Sequence, residues 1–147
     1  MPTLDDVRSL STQDHGLCVV STTRPDGSVH STVVNAGVMP HPVTGRDVVA
    51  LVIRGNTYKR RLFRRAGRAS LVFRSGWQWA GVEGAVDVIG PDDLFAGFDA
   101  KDIPQMLRDV FTSAGGTHDD WDEYDRVMRE ERRAAVLIHP ERVLGSI

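Results

Sequence analysis

The chain has little of what usually marks a site in sequence. With one cysteine among 147 residues, it can form no disulfide framework and no cysteine-based metal cluster. That cysteine lies in the apolar run Leu17-Cys18-Val19-Val20, which reads as a buried inert thiol rather than a nucleophile. No apolar run approaches the roughly twenty residues needed to cross a bilayer. Met1-Pro2-Thr3-Leu4-Asp5-Asp6 lacks the basic start and apolar core of a secretory signal, so the expectation is a cytoplasmic protein with no membrane partner. The histidines, His15, His30, His41, His118 and His139, are scattered without i,i+4 or short-loop spacing, and no metal site is expected. Neither G-x-G-x-x-G nor a P-loop signature occurs. There is no repeat, low-complexity tract or linker, and a chain of this length fits one domain with one sizeable core, 1–147.

A further absence is local. No Asp or Glu occurs from Val48 to Val82, while seven basic residues fall between Arg54 and Arg68 in a chain of net charge -2. An apolar run ends at Ile53, Gly55-Asn56 suits a tight turn, and Thr57 can cap a helix whose first turns carry Lys59, Arg60 and Arg61. Free N–H groups at a helix start, the helix dipole and adjacent cations together make an anion site, with phosphate as the natural occupant. A solvated helix face is the plain alternative. Nucleic acid fits less well, because the helix is short, the rest of the chain is acidic and only Phe63 is interleaved among the arginines.

The remaining pattern is mainly β. Thr3 to Gln13 has apolar residues at Leu4, Val7 and Leu10 and reads as a short amphipathic helix. Leu17 to Thr23 and Ser28 to Val38 flank Arg24-Pro25-Asp26-Gly27, a hairpin turn. Asp47 to Ile53 is apolar enough for a strand buried on both faces. Ala69 to Phe73 gives a fourth strand. A longer fifth alternates through Trp77, Trp79, Val82, Ala85 and Val88, with Gly81 and Gly84 allowing it to bend. A helical insertion follows from about 92 to 133: one helix from Pro104 carries Met106, Leu107, Val110 and Phe111, and a second, capped by Asp119 or Asp120, carries Trp121, Tyr124, Val127 and Met128. Ala134 to Ile138 and Arg142 to Leu144 close the chain. The fold class expected is α+β, mainly β: a six- to seven-stranded antiparallel barrel with peripheral helices.

The order of these elements, with Thr22-Thr23-Arg24-Pro25-Asp26-Gly27-Ser28-Val29-His30, Thr57-Tyr58-Lys59 and Arg68-Ala69-Ser70-Leu71-Val72-Phe73, resembles the split β-barrel flavin-binding proteins related to pyridoxamine 5'-phosphate oxidase. More narrowly it resembles the actinobacterial branch that uses the deazaflavin coenzyme F420. The resemblance implies a homodimer with the cofactor in a groove between subunits. It places the phosphate at Lys59, with Arg54, Asn56 and Thr57 around it, and adds Val52, Ile53, Gly55 and Arg60 to the cofactor-binding residues. Val33, Val34 and Asn35 would lie against the ring system, and Trp77, Gln78 and Trp79 of the neighbouring subunit would cover it. Alternating tryptophans also serve as core or interface packing. The family often has Arg where this chain has Tyr58, which leaves one charge to be supplied by Arg54, Arg60 or Arg61.

No acid–base or nucleophilic constellation stands out, which suits an enzyme whose cofactor does the chemistry while the protein binds, orients and excludes water. Solvent can donate the proton, with Tyr58 and His30 as side-chain candidates. The function implied is an F420-dependent oxidoreductase that transfers hydride between reduced cofactor and a small conjugated or heterocyclic substrate. FMN in the same groove, a non-catalytic flavin or F420 carrier or sensor, and more distantly a haem-binding relative, are the alternatives. Arg61, Arg64 and Arg65, beyond what one phosphate needs, favour a ligand with a further anionic tail such as the polyglutamate of F420.

Overall fold

Two long strands, each serving two sheets in turn, organise the architecture of this computed structural model, which describes residues 1–147. The elements run α1 (Leu4–Ser11), β1 (Leu17–Thr23), β2 (Val29–Pro40), β3 (Asp47–Ile53), α2 (Tyr58–Ala66), β4 (Arg68–Ser75), β5 (Gln78–Ile89), α3 (Ile103–Ser113), α4 (Trp121–Glu130), β6 (Ala134–Ile138) and β7 (Arg142–Ser146). The strand order is β4-β1-β2-β3-β6-β5-β7, and β4 also pairs with β5. Six antiparallel strands therefore close a barrel, with β7 added on β5. The expected mainly-β barrel with peripheral helices is the fold observed.

β2 pairs with β1 over Val29–Asn35 and with β3 over Ala36–Pro40. β5 likewise pairs with β4 up to Ala85 and with β6 from Val86. The glycines of β5 serve close approach: a Cβ at Gly84 would lie 1.8 Å from the His139 carbonyl oxygen, and one at Gly81 2.1 Å from that of Leu71.

The apolar run of β3 is buried on both faces, as its sequence predicts. Val49, Leu51 and Ile53 point into the barrel with Val20, Leu71, Phe73, Val82 and Val136, and Val7 and Leu10 of α1 and Phe63 of α2 pack into the same core. Val48 and Ala50 point outward, where Met106, Leu107 and Val110 of α3 and Tyr124 of α4 cover them together with Ala135 and Leu137. Full burial of one such large side chain is worth about 2–3 kcal/mol, so α3 is held by the barrel wall. It sits close because Gly37 of β2 has no Cβ: one there would lie 2.0 Å from the Ser113 carbonyl oxygen.

Helix ends follow local rules. Thr3 and Asp6 form a capping box on α1, and Thr57 and Asp120 cap α2 and α4 through their side-chain oxygens. One expectation needs correction: the first helix stops at Ser11 and continues only as a 3-10 turn, Thr12–Asp14, before left-handed His15 and Gly16 redirect the chain. Within the insertion, a 3-10 turn at Ala100–Asp102 leads into α3, which starts at Ile103, beside the expected Pro104. No helix is long and apolar enough to cross a membrane.

Candidate functional site

The ladder between β2 and β3 ends at Ala36–Leu51. Beyond it the strands part: β2 continues back along β1 and β3 continues along β6 to Ile53–Ala134. The facing edges of Val34-Asn35 and Val52-Ile53 thus leave that ladder, and main-chain groups there are available to a ligand. A cavity of about 540 Å³ opens in this gap. Its walls are Val34 and Asn35 of β2, Val52 and Ile53 of β3, Lys59 of α2, Val110 and Phe111 of α3, the Ala114-Gly115-Gly116 turn, Tyr124 and Met128 of α4, His15 and Arg133.

The β3–α2 turn is built as its residues require. Asn56 takes the left-handed conformation at φ 58° that asparagine tolerates. The Thr57 hydroxyl donates to the Arg54 carbonyl at 2.9 Å and accepts from the Arg60 N–H at 3.3 Å. The N–H groups of Tyr58 and Lys59, in the first turn, precede any intrahelical acceptor in register. Lys59 reaches the cavity. Burial first, then the nearby Arg133 charge, pull its ammonium below the ordinary lysine value, and no carboxylate compensates.

The other cations of α2 are committed elsewhere. Arg60 is buried, with its guanidinium 3.2 Å from an Asp92 oxygen and 3.6 Å from an Asp93 oxygen. Arg64 pairs with Asp93, and Arg132 with Asp92. Arg54 pairs with Glu131 at 3.5 Å and Arg68 with Glu141 at 3.3 Å. The acids missing from 48–82 are thus supplied by the insertion and the β6–β7 turn. Arg60, read from sequence as part of the anion site, lies outside the cavity lining and ties α2 to the insertion through these acids. Arg61 stays exposed beside Tyr58, its guanidinium carbon 5.9 Å from the ring centre.

Of the residues proposed from sequence, the cavity brings together Val34, Asn35, Val52, Ile53 and Lys59. Gly55, Asn56 and Thr57 shape the adjoining turn, and Arg54 lies on its rim in the pair with Glu131. Val33 faces outward on β2, two-thirds exposed. Trp77, Gln78 and Trp79 stand at the β4–β5 hairpin and do not line this cavity. His15, Phe111, Tyr124, Met128 and Arg133 were not anticipated. The apolar faces of the insertion helices signalled Phe111, Tyr124 and Met128, and only as packing residues.

The aromatic wall is a cluster. Phe111 and Tyr124 lie 5.0 Å apart between ring centres, with Trp121 edge-on to both at 6.1 and 5.3 Å. Gly116 admits the Phe111 ring, which a Cβ would meet at 2.5 Å. The Tyr124 hydroxyl is engaged within the fold: it donates to the Leu107 carbonyl at 3.1 Å, and burial pushes its pKa up to about 12. His30 packs edge-on to Tyr58 at 5.7 Å, away from the cavity lining.

Elsewhere the fold gathers residues that sequence spacing kept apart. His41 Nε2 and His139 Nε2 both meet one Asp87 carboxylate oxygen, at 2.9 and 2.7 Å, and the three could hold a cation. The chemistry of His41 argues for a hydrogen-bonded staple instead. Its Nδ1 accepts the N–H groups of Val43 at 3.1 Å and Thr44 at 3.3 Å, so Nε2 carries the hydrogen and donates to Asp87.

No protein-family model matches the chain. Among solved structures it is similar to a putative 5-nitroimidazole antibiotic resistance protein from Bacteroides thetaiotaomicron, at 16% identity over 99% of this chain and 84% of that one, with a TM-score of 0.71. It is also similar to a pyridoxamine 5'-phosphate oxidase-related, FMN-binding protein from Nostoc punctiforme, at 12% identity, 95% and 78% coverage and a TM-score of 0.64. An F420 reductase matches at 12% identity, 87% and 88% coverage and a TM-score of 0.58. At such identities the likeness is one of fold: the split barrel of the pyridoxamine 5'-phosphate oxidase-like flavin- and F420-binding proteins.

Proposed function

We propose that the chain is an oxidoreductase that holds a flavin-type cofactor in the cavity between β2 and β3, with coenzyme F420 as the first reading and FMN as the second. The observation that carries this is the pairing of apolar and aromatic walls with one uncompensated cation, Lys59, at a helix start. That donor set fits a tricyclic ring with an anionic arm. Free main-chain edges at Val34-Asn35 and Val52-Ile53 suit the polar rim of such a ring. The bound cofactor supplies hydride transfer to a small conjugated or heterocyclic acceptor, with the proton drawn from solvent. The protein's part is to bind the anion through Lys59, orient the ring against Val34, Val52 and Phe111, and exclude water.

Arg61 and Arg65, outside the ion pairs with the insertion, favour F420 with its acidic tail. The commitment of Arg54, Arg60 and Arg64 to Asp and Glu favours a ligand with a single phosphate, such as FMN. Fluorescence titration with each cofactor at low and high salt separates the two. Preference for F420 that fades with salt is expected, Lys59→Ala weakens binding of the preferred cofactor more than tenfold, and reduced cofactor is consumed on adding a nitroaromatic or quinone acceptor. Binding of neither cofactor would overturn the reading. Binding without consumption would make the protein a carrier or sensor.

The same reading implies a homodimer. One outward row crosses five strands, Val33–Val19–Val72–Gly81–Leu144, with Leu17 and Trp79 beside it. No helix of the chain packs on that face, while α3 covers the outer face of β3 and β6. A second copy across this row is the proposed occupant, bringing its β4–β5 hairpin with Trp77 and Trp79 toward the cavity. Sedimentation equilibrium should give a dimer that Val33→Asp dissociates, whereas a monomeric wild type contradicts it.

A further inference from the structure

We propose that Arg133, delivered by the insertion, is the second cationic ligand of the cofactor's anionic group, which is held between Lys59 on the barrel side and Arg133 on the insertion side. The proposal rests on the cofactor reading above and extends it to a residue that no sequence motif pointed to. Both side chains line the one cavity, and they come from segments clamped together. The Gly55 N–H donates to the Glu131 carbonyl at 3.1 Å. Gly55 has no Cβ where one would lie 2.4 Å from the Arg132 carbonyl oxygen. Arg54 pairs with Glu131, and Asp92 joins Arg60 of α2 to Arg132. Arg132 itself takes φ 49°, turning the chain from α4 into β6, and the Arg133 N–H closes that turn on the Met128 carbonyl at 2.9 Å. The Arg133 backbone is therefore fixed beside the start of α2.

Glu131 aims the side chain. Its Oε1 accepts from Arg133 Nε at 3.0 Å and Nη2 at 2.8 Å, which leaves Nη1 free to donate. A guanidinium braced in this way has lost rotamer freedom before any ligand arrives. Without an anion, Lys59 and Arg133 present like charges to one partly desolvated space. An anion placed between them relieves that repulsion and ties α2 to the insertion. Glu131 on this account is a positioning residue.

The test compares phosphorylated and unphosphorylated forms of each cofactor: FMN with riboflavin, and F420 with its phosphate-free deazaflavin chromophore. Wild type should bind the phosphorylated form at least tenfold more tightly. Arg133→Gln should cut that ratio about tenfold while leaving the unphosphorylated affinity unchanged, and Arg133→Lys should recover part of it. Equal weakening of both forms would mean a purely structural role and would overturn the proposal, as would an unchanged ratio. Inorganic phosphate gives a readout free of the redox reading: it should raise the melting temperature of wild type and do so far less in Arg133→Gln and in Lys59→Ala. If no cofactor binds but phosphate stabilises in this residue-dependent way, the cofactor reading fails and the two-cation site stands. If phosphate stabilises all three proteins alike, the site fails.

Discussion

Gly37→Ala probes the seating of the insertion on the barrel. The added Cβ would lie 2.0 Å from the carbonyl oxygen and 2.3 Å from the carbonyl carbon of Ser113, and 2.7 Å from the N of Ala114. Every one of these is backbone, so no side chain can swing aside. A carbon needs about 3.3 Å from a carbonyl oxygen, so the end of α3 must withdraw by roughly 1.3 Å from a strand on which Val110 and Leu107 are almost fully buried. Overpacking in a core costs typically about 1–3 kcal/mol, and with rigid main chain on both sides the upper end applies. For a domain of this size about 3 kcal/mol lowers the melting temperature by roughly 6–12 °C. Thermal and urea denaturation measure it, with Ser113→Ala as a control, since that change removes only a hydroxyl bonded to the Val110 carbonyl. Because Val110, Phe111 and Ala114 also line the cavity, cofactor affinity should fall in the same variant. A Gly37→Ala protein that melts within about 2 °C of wild type would refute the seating of α3 on β2.

Asp87→Ala leaves the buried His41 Nε2–H without an acceptor and should cost about 1–3 kcal/mol in urea denaturation. Added zinc should leave the wild-type melting temperature unchanged; stabilisation by zinc that Asp87→Ala abolishes would replace the staple with a metal site. The Arg132 guanidinium, and after it Arg60, holds the Asp92 carboxyl down to about 2 from an ordinary value of 3.8. Its contribution to stability is therefore complete above about pH 4 and is lost as pH falls toward 2. Wild type should exceed Asp92→Asn in urea midpoint at neutral pH, with the gap closing across that window, and a gap constant down to pH 2 would contradict the pairing. Burial pushes the Cys18 thiol up to about 12, so a thiol reagent should label it only on unfolding. Rapid labelling of the native protein would contradict its burial.

What could be read from sequence was whatever local rules govern. The double burial of β3, the Thr57 cap with Asn56 before it, the Arg24–Gly27 turn and the apolar faces of α3 and α4 each follow from residues within one element. Lys59 was legible because a cap, a turn and a charge coincide over three residues. The fate of the surrounding charge was not. Arg60 meets Asp92 across 32 residues and Arg64 meets Asp93 across 29, so a stretch that looks strongly basic in one dimension is largely neutralised in three. The same limit hid the His41–Asp87–His139 staple, whose members stand 46 and 52 residues apart. Arg133 offered no cue at all, being one arginine in Glu131-Arg132-Arg133 until Gly55 docks that turn beside α2.

The most direct test of the central claim is a crystal structure of the protein with F420, or with FMN if that binds more tightly. The account predicts the ring in the gap where β2 and β3 part, packed against Val34, Val52 and Phe111, and the phosphate within hydrogen-bond reach of Lys59. A cofactor found on the outward Val33–Val19–Val72 face, with the β2–β3 cavity empty, would contradict it.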